Sequence, residues 1–132
     1  MFHLDTDISV YLLENRSELA VARYRLIDRR EIRISAIAVA ELRFGMANSA
    51  RPVENLLGLN ALLDPLTIVP FDDTAATAYA DLRRELTRSG TLIGPLDMLI
   101  AAVALANNAT LITNNVREFA RVPGLRVENW AI

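Results

Sequence analysis

The sequence is distinguished first by residue types that it lacks, since its 132 residues include no cysteine and no lysine. Without cysteine, the chain forms no disulfide, no thiolate metal site and no cysteine nucleophile. All 14 basic residues are therefore arginine, which excludes Schiff-base chemistry and any mechanism that needs a catalytic lysine. No apolar run is long enough to span a membrane. The chain also starts without the pattern of a secretion signal, and we expect a cytoplasmic protein.

The overall composition is that of a folded protein. Hydrophobic residues make up 52% of the chain and the mean hydropathy is +0.24, which excludes disorder and low complexity. The length predicts a single domain over residues 1–132 with a core of its own. The formal net charge of −2 gives no overall attraction to a polyanion.

Strand-like and helix-like segments alternate along the chain. Strands that are separated by helices favour parallel crossovers, and so predict a three-layer α/β/α fold. The clearest helix is "DDTAATAYADLRRELTRSG", in which acids lead, arginines follow and Gly90 is a typical C-terminal stop. Five segments are the predicted strands of a central, mainly parallel sheet: "MFHL", "EIRISAI", "LTIVPF", "ATLITN" and "LRVENW". In such sheets, ligands bind beyond the carboxyl ends of the strands.

Two aspartates directly follow the first predicted strand, in "LDTDI". A buried strand gains nothing from an unpaired carboxylate at its end, because burial of an unpaired charge is unfavourable. The pair is therefore either a turn with a helix cap or part of a functional site. For Asp7 we favour a cap, at the start of a helix over residues 8–13, because Asp is a preferred N-cap residue.

Two further acids stand in apolar stretches. Glu41 interrupts "AIAVAELRFGMA", where a buried Glu needs a partner, and Arg43 is too close in sequence to share its helical face. Asp97 opens an apolar helix after "GTLIGP", either as a simple N-cap or as a site residue. If Asp5, Glu41 and Asp97 converge, a bound cation would compensate their charges, and oxygen-only ligands favour Mg²⁺ or Mn²⁺. Such a metal would support hydrolysis of a phosphate ester.

Four segments together resemble the PIN-domain ribonuclease toxins of the VapC type: "LDTDI", "ISAIAVAELRFG", "SGTLIGPLDMLIAA" and "TNNVREFARVPGLRVENW". They occur in the family's order from Asp5 to Trp130, which covers nearly the whole chain. The resemblance implies a PIN-like fold and the toxin of a type II toxin–antitoxin system. It also implies a Mg²⁺-dependent endoribonuclease, with Mn²⁺ as a substitute, that cuts RNA with a metal-activated water. The implied partners are an antitoxin that blocks RNA access, a second copy in a homodimer, and a heterotetramer or larger complex with the antitoxin.

The resemblance also implies the site residues. Asp5, Glu41 and Asp97 match the family's first three acids; Asp5 and Asp97 would be the principal metal ligands, and Glu41 would bind directly or through water. Asn115 matches the fourth catalytic position, where many relatives carry Asp. Other expected contributors near Asn115 are a hydroxyl from Thr113 and phosphate contacts from Arg117 and Arg121.

Two alternatives remain at this point. A catalytically impaired PIN-like module that binds RNA or protein is favoured by Asn115 in place of a fourth acid. A haloacid-dehalogenase-type phosphatase shares a D-x-D motif after a strand, but its family needs a basic residue that is usually Lys, which this chain lacks.

Overall fold

Strands and helices alternate along the chain in the computed structural model, which describes all residues, 1–132. The strands are β1 Phe2–Leu4, β2 Ile32–Ser35, β3 Thr67–Val69, β4 Thr110–Ile112 and β5 Arg126–Glu128. The α-helices are α1 Thr6–Leu13, α2 Glu18–Leu26, α3 Ala36–Ala47, α4 Pro52–Leu63, α5 Asp73–Ser89, α6 Pro95–Ala106 and α7 Val116–Phe119. One turn of 3-10 helix, Arg29–Glu31, precedes β2.

The five strands form one sheet in the order β3-β2-β1-β4-β5, and every neighbouring pair is parallel. The central strand β1 pairs Leu4 with Ile34 of β2 and with Ile112 of β4. Helices cover both faces, so the predicted three-layer α/β/α fold is confirmed, with a sheet that is wholly parallel. After β1, the chain adds β2 and β3 along one edge of that strand. It then crosses over and adds β4 and β5 along the other edge. The topological switch point, where ligands bind in such sheets, therefore lies between β1 and β4.

The core is centred on α6, which is buried along most of its length. Met98, Ile100 and the run 101–104 in this helix are all buried, because nearly every position is apolar. Helix α5 packs against α6 through an amphipathic face that buries Leu82 and Leu86. The apolar helix that the sequence predicts after "GTLIGP" is confirmed. No helix in the structure combines the length and the apolarity needed to cross a membrane.

Helix ends are fixed by the residues that the sequence offers for capping. The side chains of Ser17, Ser35 and Asp72 each accept a backbone N–H in the first turn of α2, α3 and α5. Helix α5 ends at Gly90, whose φ of +66° is the left-handed conformation that glycine adopts most easily. The predicted stop at Gly90 is confirmed.

The predicted cap at Asp7 is wrong, and of the two alternatives for Asp97 the N-cap is excluded. Asp5 is the N-cap of α1, since its backbone is extended and its side chain accepts the N–H of Thr6, so that Asp7 lies inside the first turn. Helix α6 begins two residues before Asp97, with Gly94 as N-cap and Pro95 in the first position. Helix α7 was not predicted by the sequence, because four residues are too few to give a periodic pattern.

Candidate active site

A cluster of acidic side chains lies beyond the carboxyl ends of β1 and β4, at the switch point of the sheet. Asp5 directly follows β1 and Thr113 directly follows β4, and the Asp5 N–H donates to the carbonyl of Ile112 at 2.8 Å. The parallel ladder thus continues one step past the strands and brings these two side chains together. The sequence prediction that the site lies at this edge of the sheet agrees with this arrangement.

Asp5 is held by hydroxyl and amide donors rather than by a positive charge. Its side chain, in a residue that is only 4% exposed, accepts the Thr6 N–H at 2.8 Å and the Thr113 hydroxyl at 2.7 Å. Burial, followed by the negative charge of Asp7, raises the pKa of Asp5 to about 7, although the hydrogen bonds from Thr113 and Thr6 lower it. In the absence of a cation, ionised Asp5 is therefore far less favourable than an ionised Asp in solvent.

Asp7 faces the same site from the first turn of α1. Its carboxylate oxygens lie 3.2 and 3.3 Å from the Thr113 hydroxyl, and both accept the Asn114 N–H at 3.2 Å. Its contacts are with a segment more than 100 residues away in sequence, and none of them is with the end of its own helix. Asp7 is therefore a residue of this cluster and not a helix cap.

Glu41 reaches the cluster from the middle of α3. It is half-buried, and its Oε1 accepts the Thr6 hydroxyl at 2.7 Å. Its negative charge is one of those that raise the pKa of Asp97. Glu41 thus finds its partner elsewhere in the fold, as its apolar sequence context predicts.

Asp97 lies in the first turn of α6 on the opposite side of the cluster. Its pKa is raised to about 7, first by burial, then by the charge of Glu118 and a hydrogen bond between the two carboxyl groups, and further by Glu41 and Asp7. Gly94 packs against this carboxyl group, since a Cβ there would lie 3.2 Å from Asp97 Oδ2. The three predicted acids and Asp7 therefore share one electrostatic environment.

Glu118 is a member of the site that sequence reasoning missed. Its Oε1 accepts the Gly94 N–H at 2.9 Å and its Oε2 accepts the side-chain amide of Asn115. These contacts, led by the Gly94 bond, lower the pKa of Glu118 and keep it ionised. Asn115 itself carries no negative charge, but its hydrogen bond holds the Glu118 carboxylate beside Asp97. The signal in the sequence was the three-residue spacing in "NNVRE", which places both side chains on one face of a helical turn.

The two arginines predicted to contact phosphate lie at the rim. Arg117 and Arg121 are exposed, and together with Asn115 and Glu118 they line an open cavity of about 370 Å³. A second cavity, of about 470 Å³, opens beside Glu41 and is otherwise apolar, with Phe44 71% exposed at its edge. The acidic cluster is thus flanked by a basic rim on one side and an apolar groove on the other.

The donor set suits a hard cation. None of the five ion pairs in the structure includes a carboxyl group of the cluster, and the buried Oδ1 of Asn114 has no hydrogen-bond partner. No group of three or more acidic, histidine or cysteine side chains is drawn close enough to form a ready-made metal site. Mg²⁺ keeps several waters and is bound through one or two carboxylates, so these residues fit it without a closed cage.

Known proteins resemble this chain over nearly its whole length. The family model described as "PIN domain" matches residues 3–125. "Ribonuclease VapC2" of Rickettsia felis is 39% identical over 131 residues, covering 98% of both chains. "tRNA(fMet)-specific endonuclease VapC" of Salmonella typhimurium is 36% identical over 129 residues, covering 98% of this chain and 97% of that protein.

Solved structures have the same fold over the same length. VapBC2 from Rickettsia felis, bound to a DNA fragment from its promoter, superposes with a TM-score of 0.92 at 38% identity and covers 98% of each chain. DNA-bound VapBC from Salmonella typhimurium gives a TM-score of 0.92 at 36% identity, with 98% of this chain and 97% of that chain covered.

Proposed function

The chain belongs to the PIN-domain family, in its group of VapC ribonucleases, and on that premise we propose that it is the toxin of a type II toxin–antitoxin system. Its activity is endonucleolytic hydrolysis of RNA phosphodiester bonds, and it acts in the cytoplasm as a single PIN domain over residues 1–132. The observation that carries this proposal is the cluster of carboxyl groups at the switch point, in which none forms an ion pair and two have pKa values raised to about 7. The carboxyl groups of such a cluster destabilise the folded protein when they ionise. A cation-binding site would explain why the cluster is present.

Mg²⁺, with Mn²⁺ as a substitute, would be held by Asp5 and Asp97, with Glu41 binding directly or through water. When bound, the metal supplies a water of lowered pKa and stabilises the charge that develops on the phosphate. The residues of the chain orient the reactants: Thr113 and Thr6 fix the Asp5 carboxylate, and ionised Glu118 lies against Asp97. Asn115 acts by holding Glu118 in place.

Arg117 and Arg121 bind RNA phosphates at the rim in this proposal. Substitution of both by Ala should weaken RNA binding at all sequences and reduce the slope of log affinity against log salt by about 1 for each residue. The measurement is RNA binding at a series of salt concentrations. Arg88→Ala, on the exposed end of α5, serves as the control and should leave both quantities unchanged. An unaltered salt slope in the double variant would argue against the rim as a phosphate site.

Gly94→Ala tests whether the position of Asp97 matters for cleavage. The added Cβ would lie 3.2 Å from Asp97 Oδ2, so this carboxyl group must shift by a few tenths of an ångström, whereas the 3.8 Å to Glu118 Oε1 is an ordinary contact. We expect cleavage to slow by about 10- to 100-fold, since small displacements of catalytic groups are costly. Gly58→Ala is the control, because nothing lies within 4 Å of its added Cβ. That variant should cleave normally and gain about 0.5–1 kcal/mol of stability in the interior of α4. A Gly94→Ala protein with the wild-type rate would contradict the assignment of Asp97.

A protein partner is the second part of the proposal. The solved relatives from Rickettsia felis and Salmonella typhimurium are VapBC assemblies, which supports an antitoxin partner for this chain. We propose that this partner covers the acidic cluster. The apolar groove beside Glu41, with exposed Phe44, offers such a partner a surface next to the site. We also propose a homodimer, and a heterotetramer or larger complex with the antitoxin.

The competing proposal is an impaired module that binds RNA without cutting it. Asn115 favours this alternative, but Glu118 supplies a carboxylate at the same place. Purified protein mixed with total cellular RNA separates the two, with Mg²⁺, Mn²⁺ or EDTA in parallel. Discrete metal-dependent fragments would support the nuclease, whereas RNA binding without fragments would support the impaired module. The name of the Salmonella typhimurium relative makes tRNA(fMet) the first purified substrate to try.

A further inference from the structure

Glu41 depends on one hydrogen bond for its orientation. The Thr6 hydroxyl donates to Glu41 Oε1 at 2.7 Å, and the structure gives this carboxylate no other hydrogen-bond donor and no ion pair. Its neighbours along the groove are the apolar side chains of Ile37, Ala40 and Phe44. Without the hydroxyl, a half-buried Glu41 would turn towards solvent, because a carboxylate gains nothing from an apolar wall.

Thr6 also holds the first acid of the site. As the first residue of α1, it donates its backbone N–H to Asp5 Oδ1 at 2.8 Å, and its backbone is fixed by the helix that Asp5 caps. One residue therefore contacts two carboxylates that are 36 positions apart in sequence. The hydroxyl proton is directed to Glu41 Oε1, which leaves Glu41 Oε2 without a partner in the protein.

We propose that Thr6 is a positioning residue that sets the Asp5–Glu41 spacing before a metal binds, with its N–H on Asp5 and its hydroxyl on Glu41. This role rests on the proposed nuclease function. Thr6 is not a ligand in this proposal, because its hydroxyl is already used by Glu41. It acts as a support for the ligands, and supports of this kind influence metal affinity and activity through the orientation of the groups they hold.

Substitutions at Thr6 separate its two contacts. Thr6→Val keeps the side-chain shape and the N–H to Asp5 but removes the hydroxyl, whereas Thr6→Ser keeps the hydroxyl. Thr74→Val is the matched control, since Thr74 is an exposed residue in the first turn of α5 and undergoes the same chemical change. Any difference between Thr6→Val and both other variants therefore reports on the hydroxyl and not on β-branching or on helix propensity.

The experiment titrates Mn²⁺ into each metal-free protein and follows free Mn²⁺ by electron paramagnetic resonance, with the Mg²⁺ dependence of RNA cleavage measured beside it. For Thr6→Val we expect the Mn²⁺ affinity to fall about 10-fold and the Mg²⁺ concentration for half-maximal cleavage to rise by a similar factor. Excess Mg²⁺ should restore much of the rate. Thr6→Ser and Thr74→Val should match the wild type, and the circular dichroism of all four proteins should agree.

Two results would overturn the role of Thr6 alone: wild-type metal dependence in Thr6→Val, or a Thr6→Ser protein as weak as Thr6→Val. In either case, a wild-type protein that binds Mn²⁺ and cleaves RNA would leave the proposed function intact. A wild-type protein that binds no Mn²⁺ would contradict the proposed function itself, and the Thr6 role with it. The wild-type titration therefore distinguishes the two failures.

Discussion

Asp5→Asn is expected to reduce the rate of RNA cleavage by about 10³-fold or more, which is the loss typical of a central catalytic group. The substitution preserves the size of the side chain and an oxygen that can accept the Thr113 hydroxyl. It removes the negative charge that would hold the cation. The measurement is single-turnover cleavage with saturating Mg²⁺, since this reports on chemistry and not on product release.

The control for this prediction is a second Asp→Asn change outside the cluster. Asp28, exposed and paired with Arg30, is suitable because Asp28→Asn removes the same charge from the surface. That variant should cleave RNA at the wild-type rate. If Asp5→Asn also retained most of the activity while folded, Asp5 would not be a metal ligand for the reaction.

We expect the Asp5 carboxyl group to contribute less to the stability of the metal-free wild-type protein as the pH rises from about 4 to about 7. Asp5 has a pKa of about 7 in the folded protein, above its ordinary value of 3.8, so the folded state binds its proton more tightly than the unfolded state. The stabilisation that Asp5 contributes is therefore fully present at low pH, and it is lost as Asp5 ionises. Asp97, whose pKa is also raised to about 7, contributes in the same direction.

It follows that Asp5→Asn should stabilise the metal-free protein at pH 8 while it destroys activity. We expect a gain on the order of 2 kcal/mol, or roughly 8 °C in Tm, because the variant no longer buries a charge. Asp28→Asn should instead lower the stability of the protein, since hydrogen bonds donated by Arg30 lower the pKa of Asp28 to about 2 and its ionised form is the favoured one.

Thermal unfolding at pH 5 and pH 8, with and without Mn²⁺, provides the measurement. Mn²⁺ should raise the Tm of the wild type more at pH 8 than at pH 5, because protons compete with the metal for the carboxylates. It should have little effect on Asp5→Asn at either pH. A metal-free wild-type protein whose Tm at pH 8 equals or exceeds that of Asp5→Asn would show that ionised Asp5 does not destabilise the fold.

The fold could be predicted from the sequence because its signals are local. Apolar strand segments alternate with helices that carry their own caps at Ser17, Ser35 and Asp72, and Gly90 marks the end of α5. These features depend on residues within one or two turns of each other. The parallel order of the strands, and with it the edge at which the acids gather, followed from this alternation.

The site could be predicted only in part, because it depends on contacts between distant segments. From the sequence alone, Asp5 and Asp7 are nearly equivalent candidates for the N-cap of α1. Only the contacts with Thr113 and Asn114, which are distant in sequence, show that Asp7 faces the cluster. Glu118 was missed for a similar reason, since its partner Gly94 lies 24 residues away and α7 is too short to be predicted. Asp5, Glu41 and Asp97 were identified by resemblance to the family, and the structure brings them into one electrostatic environment.

The central claim is that this acidic cluster hydrolyses RNA with a bound divalent cation, and the most direct test is the metal dependence and product chemistry of one cleavage reaction. Wild-type protein and a defined RNA are incubated with Mg²⁺, with EDTA, and with EDTA followed by excess Mg²⁺. The account predicts cleavage that stops with EDTA, resumes with Mg²⁺ and leaves no 2′,3′-cyclic phosphate ends, because water and not the RNA's own 2′-hydroxyl is the attacking group. Cleavage that persists in EDTA, or 2′,3′-cyclic phosphate ends from attack by the RNA's own 2′-hydroxyl, would contradict it.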